Sequence, residues 1–315
     1  MAMNRTDPEV AALLDTLKAA IVPGTPRLWD LDPTAARASA AEFFAPLNAG
    51  GPIMAETRDI AIPGRRGLIR ARLHVPPDLD VPSPGLLYLH GGGFVIGSPE
   101  THDRLARDLA VASGTRVVSL EYGLAPEHPY PAGLDDCVEA ACWLGSHATA
   151  VDIDPARLVM GGDSAGANLS AATLLRLRDE GRGPAFRAVL LIYGRFADGD
   201  TPSLTAWGNR DLILSRRLMD WFHAHYTSAG TRPGDPYLAP VLGDLRGLPP
   251  AILIVGTLDP LLSDSEIFAD ALRNAGVPVE LHVVPDGIHA FLQMPMLTMA
   301  RVAIARLGAF ARRHL

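Results

Sequence analysis

Cysteine is scarce in this chain: Cys137 and Cys142 are the only two in 315 residues, too few for a disulfide framework. They stand five apart in a segment with helical periodicity, so they fall on different sides of it. That spacing suits neither a metal site nor a redox pair, and both are read as plain thiols. Long apolar runs are missing as well. The longest, Ala188–Tyr193 and Ala251–Val255, are far too short to cross a bilayer. The opening Met-Ala-Met-Asn-Arg-Thr-Asp-Pro lacks the apolar stretch of a secretory signal, so cytoplasmic residence is the expectation. Basic charge is also short: 28 Lys and Arg against 35 Asp and Glu give a formal charge of -7. No window collects the basic cluster that a phosphate backbone requires, which excludes nucleic acid as a partner. Internal repeats, low-complexity tracts and an interdomain linker are absent too. The remainder, 48% hydrophobic and 20% charged, is the make-up of a globular protein with a sizeable core.

Five short runs are apolar almost without interruption: Leu86–Leu89, Val117–Leu120, Leu158–Met160, Val189–Tyr193 and Ile252–Val255. Strands read this way when helices cover both faces of a parallel sheet. Between them His102–Ser113, Gly133–Gly145, Ala167–Arg178 and Ser265–Ala275 carry helical periodicity, and the alternation predicts a doubly wound α/β sheet. Upstream, Ile69, Ala71, Leu73 and Val75 alternate with polar residues. With Ile60–Ile62 and the turn Pro63-Gly64-Arg65-Arg66-Gly67 they predict an antiparallel hairpin at the sheet edge. Two stretches break the pattern: residues 1–50, punctuated by Pro23, Pro26 and Pro33, and residues 196–235, rich in large apolar side chains. They are expected to form the two parts of a cap. The intervening 51–195 and the final 236–315 make up the α/β domain.

Leu158-Val159-Met160 runs into Gly161-Gly162-Asp163-Ser164-Ala165-Gly166, with a helical segment after it. Gly-x-Ser-x-Gly between a strand and a helix is a nucleophile elbow, in which small neighbours allow the sharp turn that lifts the Ser164 hydroxyl above the strand end. By itself the five-residue pattern is also an ordinary Gly-rich turn; its strand–turn–helix setting is what gives it weight. The run Leu86–Leu89 leads into His90-Gly91-Gly92-Gly93-Phe94, a loop with few side chains and therefore able to bring N–H groups close to a ligand. Gly91 and Gly92, with the N–H of Ala165, are the candidate donors to an oxyanion, while Gly93 is assigned to the turn and His90 to holding the loop. A phosphate cradle is excluded, because neither a Gly-Lys-Ser/Thr ending nor Gly-x-Gly-x-x-Gly is present.

Behind a nucleophile elbow the acid and then the His follow on loops after later strands. Asp259 comes just past Ala251–Val255, and His289 just past Val279–Val284. Asp286 and Asp264 are weaker candidates for the acid. His282 sits inside a strand, His223 and His225 lie in the inserted segment, and His314 is next to the C-terminus. In the assigned roles His289 takes the Ser164 proton and Asp259 orients the imidazole. Phe94, Trp207, Met219, Phe222 and Phe291 are candidates for a substrate pocket. No His-x-x-x-His or His/Asp cluster with ligand spacing accompanies the site, so neither metal nor cofactor is expected.

Five ordered segments together resemble the hormone-sensitive-lipase family of bacterial esterases: His90–Phe94, Tyr122-Gly123-Leu124-Ala125-Pro126-Glu127-His128-Pro129-Tyr130-Pro131-Ala132, Gly162–Gly166, Asp259-Pro260-Leu261 and His289-Ala290-Phe291. The resemblance implies an α/β-hydrolase fold, with a mostly parallel eight-stranded sheet and a helical cap. It also implies cofactor-free hydrolysis of short- to medium-chain acyl esters, and it raises homodimerisation as an expectation. Gly123 departs from the Arg common in the second segment, Ala167 from a frequent Gly, and Ser263-Asp264 from an acidic pair. Glu127 and Asp163 are carried by the motifs and read as structural. The same triad also serves acyltransferases and amidases, and a hydrolase fold can persist as a non-catalytic ligand receptor. The joint presence of Ser164, Asp259 and His289 argues against the receptor.

Overall fold

The computed structural model describes residues 7–20, 22, 24–210 and 212–315; Pro23 and the first six residues of the N-terminal segment lie outside the described residues. Eight strands, β1 (Glu56–Gly64), β2 (Gly67–Val75), β3 (Ser83–Leu89), β4 (Arg116–Leu120), β5 (Ile153–Asp163), β6 (Ala188–Ile192), β7 (Ala251–Gly256) and β8 (Val279–Val284), form one sheet. Their order is β1-β2-β4-β3-β5-β6-β7-β8. The expected edge hairpin pairs Ile62 with Ile69 and joins the sheet antiparallel through β2 and β4, whereas β3 to β8 run parallel.

The apolar runs sort themselves by the two-residue period of a strand. Leu86, Tyr88, Val117, Ile252 and Ile254 face one core, completed by Leu105 and Leu109 of α3 (Asp103–Ser113) and by Leu307 and Phe310 of α9 (Thr298–His314). Leu87, Leu89, Val118, Met160 and Leu253 face the other. There α4 (Ala132–His147), α5 (Ala165–Asp179) and α8 (Leu262–Asn274) supply Leu134, Leu174 and Phe268. This is the doubly wound arrangement predicted from the sequence. Helix α9 has no counterpart in that prediction, and β5 starts at Ile153 rather than Leu158.

Four helices stand outside the repeat: α1 (Pro8–Ala20), α2 (Pro33–Phe44), α6 (Pro202–Trp207) and α7 (Arg216–Tyr226). Asp32 caps α2 by accepting from Ala35 N–H at 3.0 Å, with Pro33 preset at the first helical position. Ser215 caps α7 in the same way through Leu218 N–H at 3.3 Å. The N-terminal and inserted segments touch: Arg217 bonds Asp30 at 3.0 Å and lies over the Trp29 ring at 5.3 Å. In an open sheet of this kind the ligand crevice lies beyond the C-terminal strand ends, where the order of strands reverses. That reversal falls at β3 and β5.

Candidate active site

Ser164 occupies the step from β5 to α5 with φ 53 and ψ -116, a backbone conformation that a side-chain-bearing residue holds only when its surroundings force it. The surroundings are tight. A Cβ on Gly162 would lie 2.4 Å from the Leu89 carbonyl oxygen, and one on Gly166 only 1.9 Å from it, so the elbow requires both glycines. Ser164 N–H donates to Ile192 O at 2.8 Å, which fastens the turn to β6.

Asp259 and His289 come from the loops after β7 and β8, and those loops are pinned to each other. Leu258 N–H donates to Gly287 O at 2.9 Å and Thr257 N–H to Val284 O at 3.0 Å. The close approach leaves no space for a Cβ on Gly256, which would sit 2.0 Å from Gly287 O. The result is a continuous chain of hydrogen bonds: His289 Nδ1 lies 2.9 Å from Asp259 Oδ2, and His289 Nε2 lies 2.9 Å from Ser164 Oγ. A carboxylate can only accept, so Nδ1 carries the proton and Nε2 is left as the acceptor for the serine hydroxyl. Asp259 is fully buried, and its second oxygen accepts from Leu261 N–H at 2.8 Å.

The weaker candidates have other duties. Asp286 accepts from Asp7 N–H at 3.1 Å, and Asp264 takes the N–H groups of Phe196 and Ala197, each at 3.0 Å. His282 lies beside Glu280, and His225 packs against Trp221.

The donor loop differs from expectation at one residue. Gly91 N–H donates to Asp163 Oδ1 at 2.9 Å, so it is not free to meet an oxyanion. The N–H groups of Gly92, Gly93 and Ala165 have no acceptor among the described residues. Gly92 and Gly93 have φ of +116 and +59, and Ala165 opens α5, where the first N–H groups lack intrahelical partners. Gly93, assigned to the turn from sequence, therefore presents a donor as well, and Gly91 serves the loop.

Asp163 explains this exchange. Its carboxylate also accepts from Tyr88 OH at 2.6 Å and from Gln293 Nε2 at 3.3 Å, with His102 Nε2 at 3.5 Å. Burial raises its pKa, but the charge and hydrogen bonds of His102 and the Tyr88 hydroxyl outweigh that and leave it below the usual carboxylate range. His90 holds the loop as expected: Nδ1 meets Gly91 O at 2.7 Å and the ring stacks on Tyr122 at 4.3 Å. Burial, with repulsion from His102, depresses its pKa to about 3, so it is a neutral strut.

A further anchor comes from the N-terminal segment. Arg37 of α2 donates to Val95 O and Ala125 O, both at 2.8 Å, and grips the Glu127 carboxylate at 2.9 and 2.6 Å. Glu127 is thus a clamp between α2, the donor loop and the segment around Pro126. The Gly123 departure also has a physical reason: Arg66 from the β1–β2 turn bonds Asp136 at 2.6 Å, and a Cβ at residue 123 would stand 2.5 Å from its guanidinium.

Two cavities meet at Ser164. One, of about 540 Å³, runs past Ala165 and Asn168 and includes Phe94 and Met219. The other, of about 430 Å³, includes Gly92, Trp29, Phe44 and His289; Phe222 lines both. Trp207 lines neither and instead packs under Arg210 at 5.6 Å. Phe291 also falls away from the site, because it is fully buried in the core beside Tyr193. His102, Gln293, Tyr88 and Arg37 also support the site and were not among the candidates read from sequence. No local motif marks Arg37 or Tyr88; Gln293 stands four residues after His289 in sequence, the single hint available.

A family model described as the α/β hydrolase fold matches residues 86–293. Carboxylic ester hydrolase LipN of Mycobacterium tuberculosis is 37% identical over 298 residues, covering 92% of this chain and 78% of that protein. Carboxylesterase NlhH from the same species is 40% identical, with 74% of each chain covered. Among solved structures, an α/β-hydrolase enzyme from the metagenome of Lake Arreo, Spain, superposes with a TM-score of 0.94 at 35% identity, covering 99% of both chains.

Proposed function

The chain belongs to the α/β-hydrolase fold family, of hormone-sensitive-lipase type, and on that premise we propose that it is a serine carboxylesterase working through Ser164, His289 and Asp259. The observation that carries this reading is the hydrogen-bond chain at 2.9 Å on both sides of the His289 ring, aimed at a serine held in a strained turn. Ser164 Oγ attacks the ester carbonyl carbon while its proton passes to His289 Nε2, and Asp259 stabilises the imidazolium. The carbonyl oxygen becomes an oxyanion facing the N–H groups of Gly92, Gly93 and Ala165. On collapse the bond to the alcohol oxygen breaks, and Nε2 returns the proton to that oxygen. Water then attacks the acyl-serine by the same route and releases the acid.

The substrates are esters with short- to medium-chain acyl groups, and the residues 1–50 and 196–235 act as one cap over the strand ends. Among the described residues no helix is long and apolar enough to cross a membrane. Cytoplasmic residence and homodimerisation accompany this reading as proposals, to be tested by cell fractionation and sedimentation velocity. The direct experiment is hydrolysis of chromogenic esters of increasing acyl length by the wild type, Ser164→Ala and His289→Ala. Each variant is expected to lose about 10⁴-fold or more in kcat with its fold intact. Either variant retaining most of the activity overturns the assignment.

A further inference from the structure

The cavities on the two sides of Ser164 differ both in chemistry and in their relation to His289. Once Ser164 Oγ has bonded to the ester carbon, that carbon carries three other groups: the oxyanion, the alcohol oxygen and the acyl chain. The oxyanion points to the donor N–H groups. The alcohol oxygen must come within hydrogen-bond reach of His289 Nε2, because that atom delivers its proton. His289 lies on the wall of the 430 Å³ cavity and not on that of the 540 Å³ cavity. The alcohol part therefore enters the smaller cavity, which leaves the acyl chain to run past Ala165 and Asn168 into the larger one.

The walls then dictate preference. Trp29, Phe43, Phe44, Ile96, Leu212 and Leu218 line the smaller cavity. It also carries the cations Lys18 and Arg27, with no carboxylate but Asp163 among the described residues, and Asp163 is engaged with His102 and Gln293. The larger cavity has apolar wall of its own, Phe94, Met219 and Leu238 among it, but carries the six charged residues Arg195, Asp198, Asp200, Arg216, Asp220 and Arg232. A methylene buried against the first wall gains roughly fourfold in kcat/KM, whereas one laid against ions strips water from them and gains little. Phe222 is the partition. With Gly93 and Leu214 it lines both cavities, as the one aromatic ring among the described residues to do so, and it lies so close over the donor loop that a Cβ on Gly93 would stand 2.1 Å from it.

We propose that this enzyme is selective for esters of an apolar alcohol with a short or oxygen-bearing acyl group, and that Phe222 separates the two parts. The proposal rests on the serine-esterase reading above. The test is an isomeric pair, hexyl acetate and ethyl hexanoate, which share every atom but place the long chain on opposite sides of the ester. Hydrolysis is followed by pH-stat with the wild type, Phe222→Ala and Ser164→Ala. Hexyl acetate is expected to be preferred at least about tenfold in kcat/KM, and Phe222→Ala to narrow that ratio by joining the cavities. Equal rates, or a preference for ethyl hexanoate, would overturn the proposal for the wild type whatever the fate of the Phe222 variant. If Ser164→Ala still hydrolyses both esters the underlying reading fails, whereas an inactive Ser164→Ala with the reversed preference sinks only the selectivity.

Discussion

Ser164 and Phe222 share the same cavity walls but are held there by different means. Ser164, Asp259, His289 and Gly92 sit on loops leaving β5, β7, β8 and β3, and those loops are joined through backbone hydrogen bonds and glycine contacts that admit no side chain. Phe222 sits in the middle of α7, whose two ends are tied by backbone bonds, Arg216 N–H to Gly208 O at 2.7 Å and Tyr130 N–H to Tyr226 O at 2.8 Å, and whose other anchors are side chains: the Ser215 cap, the Arg217–Asp30 bond, the Arg216–Asp200 pair and the stacking of Tyr226 on Phe94 at 3.8 Å. Backbone-held groups keep one geometry because most substitutions around them collide. Side-chain contacts at a partly exposed surface can change singly at small cost. On the proposed reading, the reacting atoms are held by the part of the molecule least free to vary, and substrate choice by the part most free.

The sharpest way to break this comparison lies on the backbone-held side, at Asp163. Asp163→Asn replaces an acceptor with a group that also donates, opposite Gly91 N–H, Tyr88 OH and Gln293. We expect kcat to fall by about 10- to 100-fold with KM little changed, since the donor loop acts on the transition state. A rise in KM alone would mean that Asp163 shapes binding instead.

Arg37 ties α2 to the donor loop by a side chain bonded to backbone carbonyls, and its effect should be intermediate. Arg37→Ala removes the contacts to Val95 O, Ala125 O and Glu127, and kcat/KM should drop by about tenfold together with a lower Tm. Arg37→Lys should restore the charge but not the fork, and so recover only part of the loss. Full recovery by Lys would make the clamp a simple ion pair.

Acidification should separate the regions by pH at the smallest cost. Neutral His90, at about 3 against an ordinary 6.5, refuses a proton that the unfolded chain accepts. Its stabilising contribution is whole above 6.5 and declines as the pH falls toward 3, by at most about 1.4 kcal/mol per unit. Hydrogen bonds from Arg37 come first among the causes that hold Glu127 at about 2 against an ordinary 4.5, so its contribution is whole above 4.5 and is lost as the pH falls toward 2. Denaturant unfolding of the wild type and Glu127→Gln should show a stability gap that is constant above pH 4.5 and closes below it. A gap that closes between pH 6.5 and 4.5 would contradict the clamp.

The same contrast governs how much could be read from residue order. Gly162-Asp163-Ser164-Ala165-Gly166, Asp259 and His289 were legible because a strand end, a tight turn and a fixed order of partners are local properties. The sheet was legible because fully buried strands leave apolar runs. Gly91 was misassigned since its N–H is diverted by a side chain 72 positions away, and nothing in His-Gly-Gly-Gly marks which amide is diverted. Arg37, 90 residues from Glu127, is one of many surface-pattern arginines until the fold brings the two together. Trp207 and Phe291 failed as pocket residues for a related reason: an aromatic near a motif can face the core or the surface, and only packing decides.

The central claim is that Ser164 Oγ is the nucleophile that forms the covalent intermediate. Its most direct test is to inactivate the wild-type protein with an activated alkylphosphonate ester and map the adduct by peptide mass spectrometry. Loss of activity should track a single adduct on the peptide carrying Ser164, absent from Ser164→Ala and formed much more slowly in His289→Ala. Labelling of a different residue, or unchanged labelling of Ser164→Ala, would contradict the account.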